Sequence, residues 1–67
     1  MIGDRIRIIR ISNKMNREEF AESLHVTKEM IFKWENNIVL PPIYIIKTLA
    51  LVYGVSTDFL LDLSDRP

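Results

Sequence analysis

Two helix starts lie almost end to end between Met15 and Ile31, and this spacing constrains the fold more than any other feature of the chain. Asn16 has the side chain of an N-cap, and Glu19, three residues on, completes a capping box. Met15 and Phe20 occupy the flanking positions of a hydrophobic staple. The same grammar recurs at Thr27, with Val26 and Ile31 at its staple positions. Only His25 and Val26 separate Leu24, at the end of the first of these helices, from the second cap. Helices joined by so short a turn cannot lie side by side, and a steep crossing is the geometry of a helix-turn-helix unit. The second helix of the pair is expected to run to about Asn36.

The flanking segments supply three more helices. Ile2, Ile6 and Ile9 fall at the i, i+4, i+7 spacing of one buried face, which predicts a helix over about Gly3 to Lys14. Pro42 suits the first turn of a further helix that runs to Tyr53 and closes on Gly54 in a left-handed C′ position. Ser56 caps a last one, about Thr57 to Asp62. Ile43 to Ile46 is rich in strand formers, yet it continues into Lys47-Thr48-Leu49-Ala50-Leu51 and ends in glycine, which favours helix. The expected architecture is all-α, a five-helix bundle forming a single domain over residues 1–67.

With 48% hydrophobic residues and no cysteine, apolar helix packing must hold this small core together, and self-association would help it. A single histidine and no cysteine leave neither a disulfide framework nor the usual zinc spacings, so no metal and no cofactor are expected. No apolar run approaches the roughly 20 residues that cross a bilayer, so the expected setting is cytoplasmic, without a membrane partner. Catalysis has no support either. There is no glycine-rich phosphate loop and no nucleophile trio, and the adjacent Glu18 and Glu19 point in different directions from their helix. No enzyme and no small-molecule substrate are expected.

The formal net charge is zero, which by itself argues against a nucleic-acid partner, but the charge is polarised. Residues 1–17 hold five bases against Asp4 alone, whereas the remaining residues hold four bases and eight acids, with Asp58, Asp62 and Asp65 near the end. A folded domain can thus present one basic and one acidic face.

The dispersed motifs Ile2-Gly3-Asp4-Arg5-Ile6-Arg7, Glu19-Phe20-Ala21, Val26-Thr27, Ile31, Lys33-Trp34-Glu35-Asn36, Pro41, Leu49-Ala50, Gly54-Val55-Ser56 and Asp58-Phe59-Leu60-Leu61 span nearly the whole chain. In this register the chain resembles the phage repressor and Cro type helix-turn-helix proteins, the XRE family. The resemblance implies a five-helix domain that reads duplex DNA with its second and third helices, usually as a symmetric dimer. It also implies that Arg10 pairs with Glu35 as a structural ion pair, and that Arg17 stands where similar proteins place a glutamine against a phosphate.

Periodicity agrees about the reading face. With Ile31 and Trp34 turned inward, the third helix presents Lys28, Glu29, Phe32, Lys33 and Asn36 outward. In a major groove lysine donates to guanine, glutamate accepts from cytosine, and an apolar ring touches a thymine methyl. Arg17, Thr27 and Asn36 form the expected phosphate set. Phe32 and Met30 replace small polar residues of the family, which makes either an unusually apolar groove contact or a protein-facing surface. The Asn37 to Pro41 loop lacks the cation that the family often places there, so binding per monomer should be modest and less salt-sensitive. His25 stands where the family has a positive-φ glycine, a conformation histidine tolerates.

The fourth helix carries more apolar residues than one face can bury. Its expected core face is Ile43, Ile46, Leu49, Ala50 and Tyr53, leaving Ile45 and Val52, with Tyr44 and Leu51 beside them, as a dimer or partner interface unless Leu60, Leu61 and Leu63 cover it. The functional expectation is a sequence-specific DNA-binding transcriptional regulator, a homodimeric repressor. The alternative is a protein-interaction module of the same fold that binds another regulator.

Overall fold

The computed structural model describes residues 1–66. Five helices follow one another in the order α1 (Ile2–Ser12), α2 (Arg17–Leu24), α3 (Lys28–Glu35), α4 (Ile43–Tyr53) and α5 (Thr57–Leu60). Among the described residues there is no strand, and no helix is long and apolar enough to cross a membrane.

The helix starts obey local chemistry. Asn16 Oδ1 accepts from the Glu19 amide at 2.8 Å while Glu19 Oε1 accepts from the Asn16 amide at 3.0 Å, a reciprocal capping box. Thr27 Oγ1 accepts from the Met30 amide and Ser56 Oγ from the Phe59 amide, so α3 and α5 are capped in the same way. The ends depart slightly from expectation. α1 stops at Ser12 because Lys14 takes a positive φ of 57°, and α5 stops at Leu60, with Asp62 at φ 61°. Pro42 is extended, at ψ 158°, and caps α4 from outside instead of occupying its first turn. Gly54 is left-handed at φ 64° and closes α4.

α3 lies across α1 and α2, and α4 and α5 close the bundle beneath them. Ile6 and Ile9 of α1, Phe20, Ala21 and Leu24 of α2, Ile31 and Trp34 of α3, Ile45 and Leu49 of α4, and Phe59 and Leu60 of α5 form one continuous core. Gly3 allows the close crossing of α1 over the end of α3: a Cβ there would collide with the Trp34 carbonyl oxygen. The Gly3 amide instead donates to Asn37 Oδ1 at 2.9 Å.

The rotation of α4 corrects the expected pattern. Ile45 is 1% exposed and belongs to the core, whereas Ile43, expected inside, is exposed. α4 is apolar nearly all round, so periodicity alone could not choose its buried side. Side-chain anchoring decides it. Tyr53 stacks on Phe20 with ring centroids 5.4 Å apart, and its hydroxyl lies 2.6 Å from Ser23 Oγ. With Tyr53 held against α2, residues four and eight positions earlier, Leu49 and Ile45, face the core. Tyr44, Leu51 and Val52 remain exposed, and of the C-terminal leucines only Leu60 is buried, so Leu61 and Leu63 do not bury them.

Candidate nucleic-acid interface

The interface begins at the turn between α2 and α3. His25 takes φ 58° and ψ 40°, a left-handed conformation that reverses the chain after Leu24. The His25 and Val26 amides donate back to the Glu22 and Ala21 carbonyls, so the turn leaves neither amide unpaired. Thr27 then starts α3 at once.

Burial of Ile31 and Trp34 sets the rotation of α3 and turns Lys28, Glu29, Phe32, Lys33 and Asn36 outward. An open groove of about 590 Å³ runs between α3 and the start of α2, lined by Arg10, Arg17, Lys28, Glu29, Phe32 and Lys33 among others. Within it Phe32 is 49% exposed, and the Arg17 guanidinium stacks over its ring at 5.5 Å from the centroid. Lys28 Nζ stands 3.3 Å from Glu18 Oε1, but both side chains are solvent-exposed, so this pair is weak and easily exchanged for another partner. The Asn36 side-chain amide donates to the Phe32 carbonyl at 2.9 Å, and Thr27 Oγ1 is engaged as a cap. One side-chain N–H of Asn36 and the hydroxyl hydrogen of Thr27 stay free to donate.

Beneath the groove lies Glu35, whose side chain is fully buried. Arg10 grips it with two hydrogen bonds, Nε to Oε2 at 2.6 Å and Nη2 to Oε1 at 3.1 Å, and donates through Nη1 to the Met15 carbonyl. Such a fork-to-fork contact is the strong form of the ion pair. Two further cations converge on the same carboxylate. Arg17 Nε donates to Oε1 at 3.1 Å, and Arg7 Nε lies 3.7 Å from Oε1. Sequence reasoning placed Arg17 at a phosphate and gave Arg7 no role. Nothing in their spacing reveals that α1, α2 and α3 bring three guanidinium groups to one carboxylate.

The partner surface expected from the sequence needs one correction. Tyr44, Leu51 and Val52 are exposed, but Ile45 is enclosed in the core and cannot meet a second chain. Ile43 is exposed instead, as are Ile38, Val39 and Leu40 in the loop before α4.

Comparison with known proteins agrees with this geometry. Residues 6–60 match the family described as Helix-turn-helix. The chain is 33% identical over 67 residues to the uncharacterized HTH-type transcriptional regulator YobD of Bacillus subtilis (strain 168), covering 100% of this chain and 60% of that protein. It is 33% identical over 61 residues to the SPbeta prophage-derived uncharacterized HTH-type transcriptional regulator YonR of the same organism, covering 91% of this chain and 56% of that protein. The chain therefore spans somewhat more than half the length of these relatives. Among solved structures, the P22 c2 repressor protein in complex with a synthetic operator superposes with a TM-score of 0.85 at 25% identity, covering 96% of this chain and 97% of that one.

Proposed function

Since the chain belongs to the helix-turn-helix family, we propose that it is a DNA-binding transcriptional regulator that reads the major groove with α3. The observation that carries this reading is the outward face of α3, where Lys28, Glu29, Phe32 and Lys33 project from a helix fixed in rotation by Ile31 and Trp34. Lysines supply donors for guanine, Glu29 an acceptor for cytosine amino groups, and Phe32 a flat apolar contact for thymine methyls. Arg17, Thr27 and Asn36, at the two ends of the reading unit, set the register on the backbone. Likeness to a repressor bound to its operator supports duplex DNA as the partner.

A single copy has few cations at this surface, so a two-fold dimer is the form proposed to bind. It doubles the contacts and reads half-sites about one helical turn, ~34 Å, apart. The exposed Tyr44, Leu51 and Val52, together with Ile43, offer the apolar surface for that association. Bound across a promoter in the cytoplasm, such a dimer represses by occlusion. The same exposed apolar residues also favour a second reading, a module of this fold that binds another regulator.

The test is binding of the purified protein to its own upstream region at several salt concentrations. Phosphate contacts give a steep negative salt slope. Lys28→Ala or Lys33→Ala should then cost about 1 to 3 kcal/mol on the specific site and relax preference at particular base pairs. Intact specificity in both variants would remove α3 as the reader, and a flat salt dependence in the unaltered protein would favour the protein-binding reading.

A further inference from the structure

Three guanidinium groups surround Glu35, yet only one is locked. Arg10 takes both carboxylate oxygens, and Arg17 Nε shares Oε1. Arg7 Nε also faces Oε1, but at 3.7 Å it is beyond hydrogen-bond reach and, though buried, has no hydrogen-bond partner. A carboxylate carries one negative charge, so this cluster holds two positive charges in excess within the span of one side chain. Because Arg7 and Arg17 are partly exposed, water carries much of this excess, which leaves it open to any anion that reaches it.

The excess points outward. The Arg7 side chain is 42% exposed and that of Arg17 is 37% exposed, whereas that of Arg10 is 13% exposed. Arg7 and Arg17 both bring their Nε atoms to the same oxygen of Glu35, at 3.7 and 3.1 Å, so the two guanidinium groups converge on one point. Arg17, in the first turn of α2, lines the α3 groove, and Arg7 reaches the same carboxylate from α1. Two adjacent guanidinium groups match the two non-bridging oxygens of one phosphodiester. We propose that Arg7 and Arg17 form a clamp for a single backbone phosphate of duplex DNA, held in position by Glu35. Arg7, on α1, thereby joins the DNA-binding surface; this rests on the reading of α3 as the groove-reading helix, whose flanking phosphates pass beside Arg17.

The experiment measures binding to a random-sequence duplex across a sodium chloride series for the unaltered protein, Arg7→Gln, Arg7→Lys and Lys47→Gln. Lys47, exposed on α4, controls for loss of a remote charge. Arg7→Gln should flatten the log–log salt slope by about one unit, Arg7→Lys should retain it, and Lys47→Gln should match the unaltered protein. An unchanged slope in Arg7→Gln overturns the clamp while leaving the α3 reading intact; a flat slope in the unaltered protein overturns both. A measurement without substitution guards against misfolding. The Arg7 side-chain NMR signals of the unaltered protein should shift on adding the duplex. Signals that stay still at saturating duplex overturn the assignment, and so do signals that move as readily with inorganic phosphate at matched ionic strength, which would mark a free-anion site.

Discussion

A fully buried carboxylate has to be compensated, because an ionised group removed from water costs several kcal/mol unless charge and hydrogen bonds replace the lost hydration. At Glu35 that compensation is unequal among its three cations. Arg10 makes two short hydrogen bonds and ties α1 to the end of α3, whereas Arg7 touches neither oxygen within hydrogen-bond distance. Arg10→Met should therefore lower stability by about 3 kcal/mol. Arg7→Met should cost about 1 kcal/mol or less, as expected for a half-exposed charge. Thermal melts of both variants read the difference directly. Equal melting temperatures would mean that Arg17 and Arg7 can take over from Arg10, and that the forked contact is not what holds the carboxylate in place.

Elements two and three are joined by the most tightly specified segment of the chain. His25 supplies the left-handed reversal, the Val26 amide returns to the Ala21 carbonyl, and Thr27 caps the next helix one residue later. A side chain in the left-handed region carries a steric cost of order 1 kcal/mol that glycine avoids. His25→Gly should consequently raise the stability of the free protein by up to about 1 kcal/mol, partly offset by the greater freedom of glycine in the unfolded chain. Thr27→Ala should lower it by about 1 kcal/mol through loss of the cap. Urea titrations with unchanged m-values would register both shifts as displaced midpoints. If Thr27→Ala leaves the midpoint in place, α3 is held by packing alone.

At the scale of the whole molecule the charge polarity is less complete than the chain suggests. Arg5 does not join the basic face; its guanidinium pairs with Asp62 and Asp65 and stacks over Phe59 at 4.4 Å. The Met1 amine also meets Asp62, at 2.7 Å, so α1 and the C-terminal segment are clasped together. Arg7 and Arg17 instead share one carboxylate with Arg10, which leaves an excess of positive charge at Glu35. On α4, by contrast, a broad apolar surface is left uncovered, with Leu51 83% exposed. Leu51→Glu or Val52→Glu should yield monomers of intact helicity with much weaker operator binding, whereas Ile45→Glu should unfold the domain, because a charge would enter the core. Sedimentation equilibrium with circular dichroism separates these outcomes. A protein that stays monomeric at high concentration, even with palindromic operator, would exclude the symmetric dimer.

The chain by itself determined its helices and the outward face of α3, because both depend on local rules. Caps at Asn16, Thr27 and Ser56 and the glycine at 54 are short-range hydrogen-bond and backbone chemistry, and the outward set on α3 follows from a clear stripe of Ile31 and Trp34 against polar neighbours. Where that contrast vanished, so did the information. α4 is apolar on almost every side, and its register came from Tyr53 meeting Phe20 and Ser23, residues more than two dozen positions away. The same holds for the arginines. Nothing in the sequence marks Arg7 or Arg17 as a partner of Glu35, and only the packing of α1 and α2 against α3 brings them to one carboxylate, since charge balance in three dimensions is set by distances that periodicity along a chain does not encode.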